Sequence, residues 1–468
     1  MNIIPLIEKL SKDFNEKFNT NLNFIDLENK IRSVGDDFTL SLYVSYVEYI
    51  DNEFMNSQER KDKYGVKEFI HKSILTSMGW VTLKYRAYIN KETNERYVFM
   101  RNLLNIKPYQ RITDDAQYEL TKRAMSENMS QAAKYGIRNT VVSRSTVSKM
   151  IKNFKGTIHE QIIRTNNTPK VLYIEIDEIH ANLQIKGNKG KSKNQICPCA
   201  IVHEGYKEEF TNRKQLKNVR NFASAKLSYN ELWEVIYDYV SKRYDIDSID
   251  YIFISGDGAA GIKAFDNVFP QAIFVLDKYH YKKKHLSYIF KDNSLLAKYA
   301  DDYLRNDRLD EFKTLVNSQI EKYPKQEEKM KYHMNYILNN LDGIKSQQHP
   351  EYKCPCSMEG HVSNRYARYI TSSPYAFSLD GLENKLQLLV LNANKHDLTF
   401  EEFLLLKYGE NEYKQILNNI KNITNIKYRI KVIDTNIKEF ISLNVPLPKF
   451  SENSTQDYFN NLISQRMI

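Results

Sequence analysis

The chain has 468 residues, of which 27% are charged and 41% hydrophobic, with only 15 Gly and 11 Pro. That composition excludes disordered and fibrous classes and leaves room for about three domains. Lys and Arg number 68 against 58 Asp and Glu, a net charge of +10 that favours a polyanionic partner. No run approaches the roughly 18 apolar residues of a membrane span: the best, Leu386 to Leu391, is interrupted by Gln387 and ended by Asn392. The opening residues, with Glu8 and Lys9, do not read as an export signal. Four Cys are too few for a disulfide scaffold, so a reducing cytoplasm is the expected compartment.

Residues 1–60 read as a helical segment, with apolar positions at helical spacing in Ile7-Leu10-Phe14-Phe18 and Leu40-Val44-Val47-Ile50. Residues 61–108 change to β-rich runs, where Trp80–Tyr85 and Arg96–Met100 flank the polar turn Asn90–Asn94 and predict a hairpin. Residues 109–165 return to helix. There Met129–Gly136, a break, and a second helix capped by Ser143 trace a helix-turn-helix outline. Between 111 and 165 ten basic residues face five acids, so half of the net charge lies in this small segment. If the second helix enters a major groove, Arg144, Ser145, Thr146 and Ser148 lie at the end that reads bases, and Lys149 and Lys152 meet phosphate.

From residue 166 to 398 the pattern alternates. Strands are predicted at Val171–Asp177 continuing to Ile185, at Gln195–His203 and around Glu209-Phe210-Thr211. A helix over Tyr229–Arg243, a strand at Tyr251–Ser255, a short helix near Ala259–Phe265 and a strand at Ala272–Leu276 follow. Three strands followed by α-β-α-β is the order of a ribonuclease-H-like core, an α/β fold with a mixed sheet and a later helix. A charged helical block, about 286–352, interrupts it, and residues 399–468 form a helical tail. The basic turn with Lys189 and Lys191 projects from the first strand, where it can brace a DNA backbone.

Two buried-looking strands end in acids, at Asp177 and Asp257. In the expected sheet their strands are neighbours, and two like charges side by side are destabilising unless a divalent cation joins them. Two such acids with a third on a later helix suit two-metal phosphodiester chemistry with Mg²⁺ or Mn²⁺. Glu359 is the preferred third acid, because Ser357 to Asn364 starts a new helix after the inserted block; Glu383 is the runner-up, and Glu351, Glu401 and Glu402 are further candidates.

Four segments together are specific: Tyr173–Gln184, Ile254–Ala260, Phe274–His280 and Cys356–Ser363. They resemble the bacterial insertion-sequence transposases of the IS-Lre type, relatives of the Mutator-like DDE enzymes, from about residue 110 to 395. The resemblance implies Asp177, Asp257 and Glu359 as the DDE triad and maps an Asp-x-x-His motif onto Asp277 and His280. It further implies double-stranded DNA as partner, both element ends and target, a homo-oligomer in the synaptic complex and a nucleoid-associated location. His280 precedes the basic run Lys282-Lys283-Lys284, which places it to contact the scissile phosphate and the lysines to contact DNA. His180 and His361 stand close to presumed catalytic acids and rank as supporting groups. Ser373–Phe377 lacks the Arg and Trp expected at the end of the last motif. All four cysteines fall in Cys197-Pro198-Cys199 and Cys354-Pro355-Cys356, a spacing tighter than usual for the structural Zn²⁺ they would otherwise suggest. The rival readings are a ribonuclease-H-like nuclease that cuts structured DNA without joining it, and a transposase-derived DNA-binding regulator.

Overall fold

The computed structural model describes residues 4–18, 24–104, 106–185, 187, 191–208, 214–371 and 376–424. The chain divides into two units, one of residues 1–72, 83–107 and 412–468 and the other of residues 73–82 and 108–411. None of the described helices is long and apolar enough to cross a membrane.

The first unit opens with α1 (Ile4–Phe18), α2 (Phe24–Asn56) and α3 (Gln58–Lys63), the last capped by Ser57, whose hydroxyl accepts the Arg60 N–H. A three-stranded sheet, of which residues 73–82 count with the second unit, follows in the order β1 (Tyr64–Thr76), β2 (Gly79–Asn90) and β3 (Arg96–Tyr97), and then α4 (Phe99–Leu103). The predicted strand Arg96–Met100 is thus two residues long. Tyr97 stacks on Tyr64, and the turn into α4 sets Phe99 flat against Phe54 with ring centroids 3.9 Å apart. Aromatic packing overrides the alternating pattern that suggested a longer strand.

The second unit contains three short helices, α5 (Asp114–Ser126), α6 (Met129–Tyr135) and α7 (Arg144–Lys152). Each starts on a side-chain cap, Thr113, Asn128 and Ser143 respectively. Gly136 ends α6 where a Cβ would lie 2.7 Å from the Leu120 side chain, so only glycine lets the chain leave here.

The sheet of this unit comprises β4 (Val171–Gln184), β5 (Ser192–His203), β6 (Arg220–Ala223), β7 (Tyr251–Gly256) and β8 (Ile273–Leu276), in the order β6-β5-β4-β7-β8. β4, β5 and β6 are antiparallel neighbours, whereas β7 and β8 run parallel to β4. The third strand predicted at Glu209-Phe210-Thr211 lies outside the described residues; the third strand of the sheet is β6. Between the strands come α8 (Tyr229–Arg243) and α9 (Ala260–Lys263). Strand alternation then separates two faces. Leu172, Ile174, Ile176, Ile252 and Ile254 pack with Leu232, Trp233 and Ile236 of α8. The other face carries Tyr173, Glu175 and Asp177 and receives the segment around Tyr352 and Cys354.

After β8 a π-helical turn, His280–Leu286, leads into α10 (Ser287–Ile289), α11 (Ser294–Arg305), α12 (Leu309–Lys322), α13 (Glu327–Asn339) and α14 (Leu341–Lys345). These helices close on their own core of Leu304, Phe312, Val316 and Ile337. Next come α15 (Met358–His361), a π-helical stretch over Val362–Ala367, α16 (Arg368–Ile370), α17 (Leu379–Ala393) and α18 (Phe400–Thr424), which breaks at Gly409. The predicted tail beyond Thr424 lies outside the described residues, as does most of the Ser373–Phe377 stretch.

Candidate metal centre

The register of the parallel strands assembles the site. Glu175 pairs with Ser255 and Ser255 with Val275, so counting on two residues brings Asp177, in the middle of β4 where its parallel pairing stops, level with Asp257 and Asp277 just past the carboxyl ends of β7 and β8. The expectation that the strand ends at Asp177 is corrected, since β4 runs on to Gln184 against β5. The Asp277 N–H donates to the Gly256 carbonyl at 2.8 Å, which fixes that alignment. Carboxyl ends of adjacent parallel strands are where α/β sheets bind ligands.

Among the described residues, Asp177, His280 and Glu359 form the one group of three whose potential ligand atoms all lie within 4.8 Å of one another. Asp177 comes from β4, His280 from the turn after β8 and Glu359 from α15. Asp257 stands outside this trio: its Oδ1 accepts the Ala259 N–H at 2.9 Å, and its backbone carbonyl accepts the Tyr336 hydroxyl. It is nonetheless felt electrostatically. Burial pushes the Asp177 carboxyl up to about 6, the negative charges of Glu359 and Asp257 add to the rise, and the Glu178 N–H and His280 oppose it. Asp277 is likewise raised by burial, against the Tyr279 N–H and His280.

His280 is 6% exposed, with its Nδ1 2.9 Å from Lys284 Nζ and its Nε2 3.6 Å from Asp277 Oδ2. An ammonium only donates, so Nδ1 accepts and Nε2 carries the ring proton. Held this way, His280 presents a donor to the carboxylates or to a substrate oxygen and has no lone pair left for a metal. The donors that remain are carboxylate oxygens, the set that hard divalent ions such as Mg²⁺ and Mn²⁺ prefer. A cation among them would also relieve the burial and like charge that raise Asp177.

The other predicted residues are distributed as follows. His180 is exposed, hydrogen-bonded to Asn194 at 3.0 Å and 3.6 Å from Glu178. Glu178 in turn accepts the Tyr229 hydroxyl. His361 is half-buried, its Nδ1 has no hydrogen-bond partner, and burial lowers its pKa. Lys282 is paired with Asp301, Lys284 is exposed with its Nζ 2.9 Å from His280 Nδ1, and Lys283 is exposed with its ammonium over the Tyr279 ring. Arg144, Ser145, Lys149, Lys152 and Lys191 are exposed and Thr146 and Ser148 half-buried; Lys189 lies outside the described residues. Glu383, the alternative third acid, is buried, accepting from Ser224 Oγ and from the Ala225 and Lys226 N–H groups, and is not one of the three residues whose ligand atoms come together. The cysteines are not gathered into a ligand set: Cys199 donates to the Asp177 carbonyl, Cys356 lies 3.8 Å from Glu175, and burial raises all four thiols.

Glu175, His203 and Ser357 escaped the sequence reading. Glu175 Oε1 is 3.0 Å from His203 Nε2, and Oε2 accepts the Ser357 N–H at 2.7 Å and its hydroxyl at 3.0 Å. Glu175 could have been found from its place two residues before Asp177 on the same strand face. His203 is 28 positions away and only the β4–β5 pairing reveals it.

The model of the uncharacterised protein family UPF0236 matches residues 17–404. The chain belongs to that family. Relatives include UPF0236 proteins of Caldanaerobacter subterraneus subsp. tengcongensis, two of them 27% and 28% identical over 441 and 442 residues, each alignment covering 91% of both chains. A third is 27% identical, over 91% of this chain and 92% of its own. The names of several of these UPF0236 proteins join multiple loci of that one bacterium. Among solved structures, the Drosophila P element transposase strand transfer complex matches at a TM-score of 0.20 and 12% identity, covering 72% of this chain and 89% of that one. A likeness of that size carries no argument about fold or activity.

Proposed function

We propose that this UPF0236 protein is a DDE transposase of the IS-Lre type, with a ribonuclease-H-like catalytic core. It binds the ends of its insertion sequence and cuts and joins double-stranded DNA. The observation that carries the reading is the meeting of Asp177 and Glu359 with His280, with Asp257 level with Asp177 where the parallel pairing of β4 and β7 ends. Relatives present at several loci of one genome are consistent with a mobile element.

Asp177, Asp257 and Glu359 would hold divalent ions, which when bound activate an attacking oxygen and stabilise a leaving one. The protein's own contribution is placement. The middle of β4 fixes Asp177 and the turn after β7 fixes Asp257, α15 brings Glu359 to Asp177, and the His280 Nε2–H would hydrogen-bond a phosphate oxygen. Arg144, Ser145, Thr146 and Ser148 at the start of α7 would read base edges while Lys149 and Lys152 contact phosphate.

The test is a strand-cleavage and strand-joining assay on DNA carrying the element's ends, with Mg²⁺ or Mn²⁺, comparing wild type with Asp257→Ala. Metal-dependent cleavage and joining by wild type, lost in a variant that still binds the ends, is expected. Cleavage that persists in Asp257→Ala would overturn the site assignment, and sequence-specific binding without cleavage by wild type would make the protein a regulator.

A further inference from the structure

We propose that Glu175 and His203 form a buried brace that positions Glu359 against Asp177 for metal binding. The inference deepens the proposed function and rests on its reading of Asp177 and Glu359 as metal ligands. Glu175 is 1% exposed and His203 0% exposed. A carboxylate buried in a strand is costly unless its oxygens are satisfied, and here they are satisfied by groups that lead to the third acid.

The bonds have a direction. His203 Nδ1 accepts the Gly205 N–H at 3.1 Å, so the ring proton is on Nε2, which donates to Glu175 Oε1. Glu175 Oε2 receives both the N–H and the hydroxyl of Ser357. Both oxygens are therefore committed, which makes Glu175 a positioning residue and not a ligand. Ser357 is the residue before α15, where a serine hydroxyl ordinarily caps the helix. It makes no such cap bond here. Its hydroxyl, two positions before Glu359, is instead directed to Glu175.

A second tie acts on the same segment. The Tyr352 hydroxyl accepts the Cys356 N–H at 3.2 Å and bonds the Ser255 hydroxyl at 3.2 Å. Residues 352–357 are thus fastened to β4 and β7, the strands that carry Asp177 and Asp257. Hydrogen-bond partners behind metal ligands typically change metal affinity by about 10- to 100-fold when removed.

The experiment is calorimetric titration of the metal-free full chain with Mn²⁺ alone, for wild type, Asp177→Asn, Glu175→Gln, Glu359→Gln and the Glu175→Gln/Glu359→Gln double variant, with folding checked by circular dichroism. Glu175→Gln should weaken Mn²⁺ binding by about tenfold or more, and in the Glu359→Gln background it should cost almost nothing further, because it acts through Glu359. Ser357→Ala, which removes one bond of the brace, should weaken binding in the same direction by less, and it carries the test if Glu175→Gln does not fold. No loss in these variants, or losses that simply add to that of Glu359→Gln, would overturn the brace and leave Glu175 a fold residue. Wild type binding Mn²⁺ no better than Asp177→Asn would instead overturn the metal-centre reading itself.

Discussion

Gly258 follows Asp257 at φ +78°, and a Cβ added there would lie 2.4 Å from Asn340 Oδ1. Asn340 is anchored through its Nδ2 to the Tyr336 carbonyl, and Tyr336 gives its hydroxyl to the Asp257 carbonyl. The clash therefore pushes on a group already tied to Asp257. Gly258→Ala should cost about 1–3 kcal/mol in urea denaturation, from the left-handed backbone and the overpacking together. An unchanged midpoint would show that the segment relaxes freely. At this scale the sequence is informative where an acid interrupts or follows an apolar strand run, as Asp177 does within β4, Asp257 after β7 and Asp277 after β8. It was silent where a residue's partner is set by pairing, as for His203, or by a helical block folding back over a strand, as for Tyr336. Nor does the basic run announce that Lys282 pairs with Asp301 and that Lys284 reaches His280.

Among the elements, α17 carries three consecutive polar residues with three different attachments. Glu383 accepts from the turn after β6, Asn384 donates to the Ile151 carbonyl at the end of α7, and Lys385 donates to the Ala124 and Glu127 carbonyls at the end of α5. One helix thus joins the sheet to the helices that would read DNA. Lys385 is 0% exposed, and burial lowers its pKa to about 7, with Glu127 opposing. Because the folded pKa lies below the usual lysine value, the unfolded chain binds more protons between pH 7 and about 10.4, so this group's contribution to stability rises with pH across that window and is lost as pH falls through 7. Urea denaturation at pH 7 and 8.5 should show wild type gaining on Lys385→Met at a rate approaching about 1.4 kcal/mol per pH unit. Parallel curves for the two proteins would contradict a neutral buried lysine. The strand and helix positions of the sheet region were legible because apolar runs of strand length alternate with the amphipathic Tyr229–Arg243. The long β1 was not, since its exposed outer half breaks the alternation, and β3 was overcalled where Phe99 leaves the strand to stack on Phe54.

For the whole molecule, the central claim is that Asp177, Asp257 and Glu359, brought from the middle of one strand, the residue after another and a helix more than a hundred residues later in the chain, act as one metal-holding unit on DNA. Composition favours a polyanionic partner, and motif order is what suggests the chemistry proposed. The parallel register that sets Asp177 level with Asp257 and the Glu175–Ser357 contact two residues before Glu359 are pairings that a linear reading does not contain. The most direct measurement is the rate of metal-dependent cleavage of element-end DNA by wild type, by Asp177→Asn, Asp257→Asn and Glu359→Gln singly, and by the triple variant. Residues that work as a unit are non-additive, so each single variant should lose nearly as much activity as the triple. A single variant that keeps most of the wild-type rate, or losses that multiply to give the triple, would contradict the account.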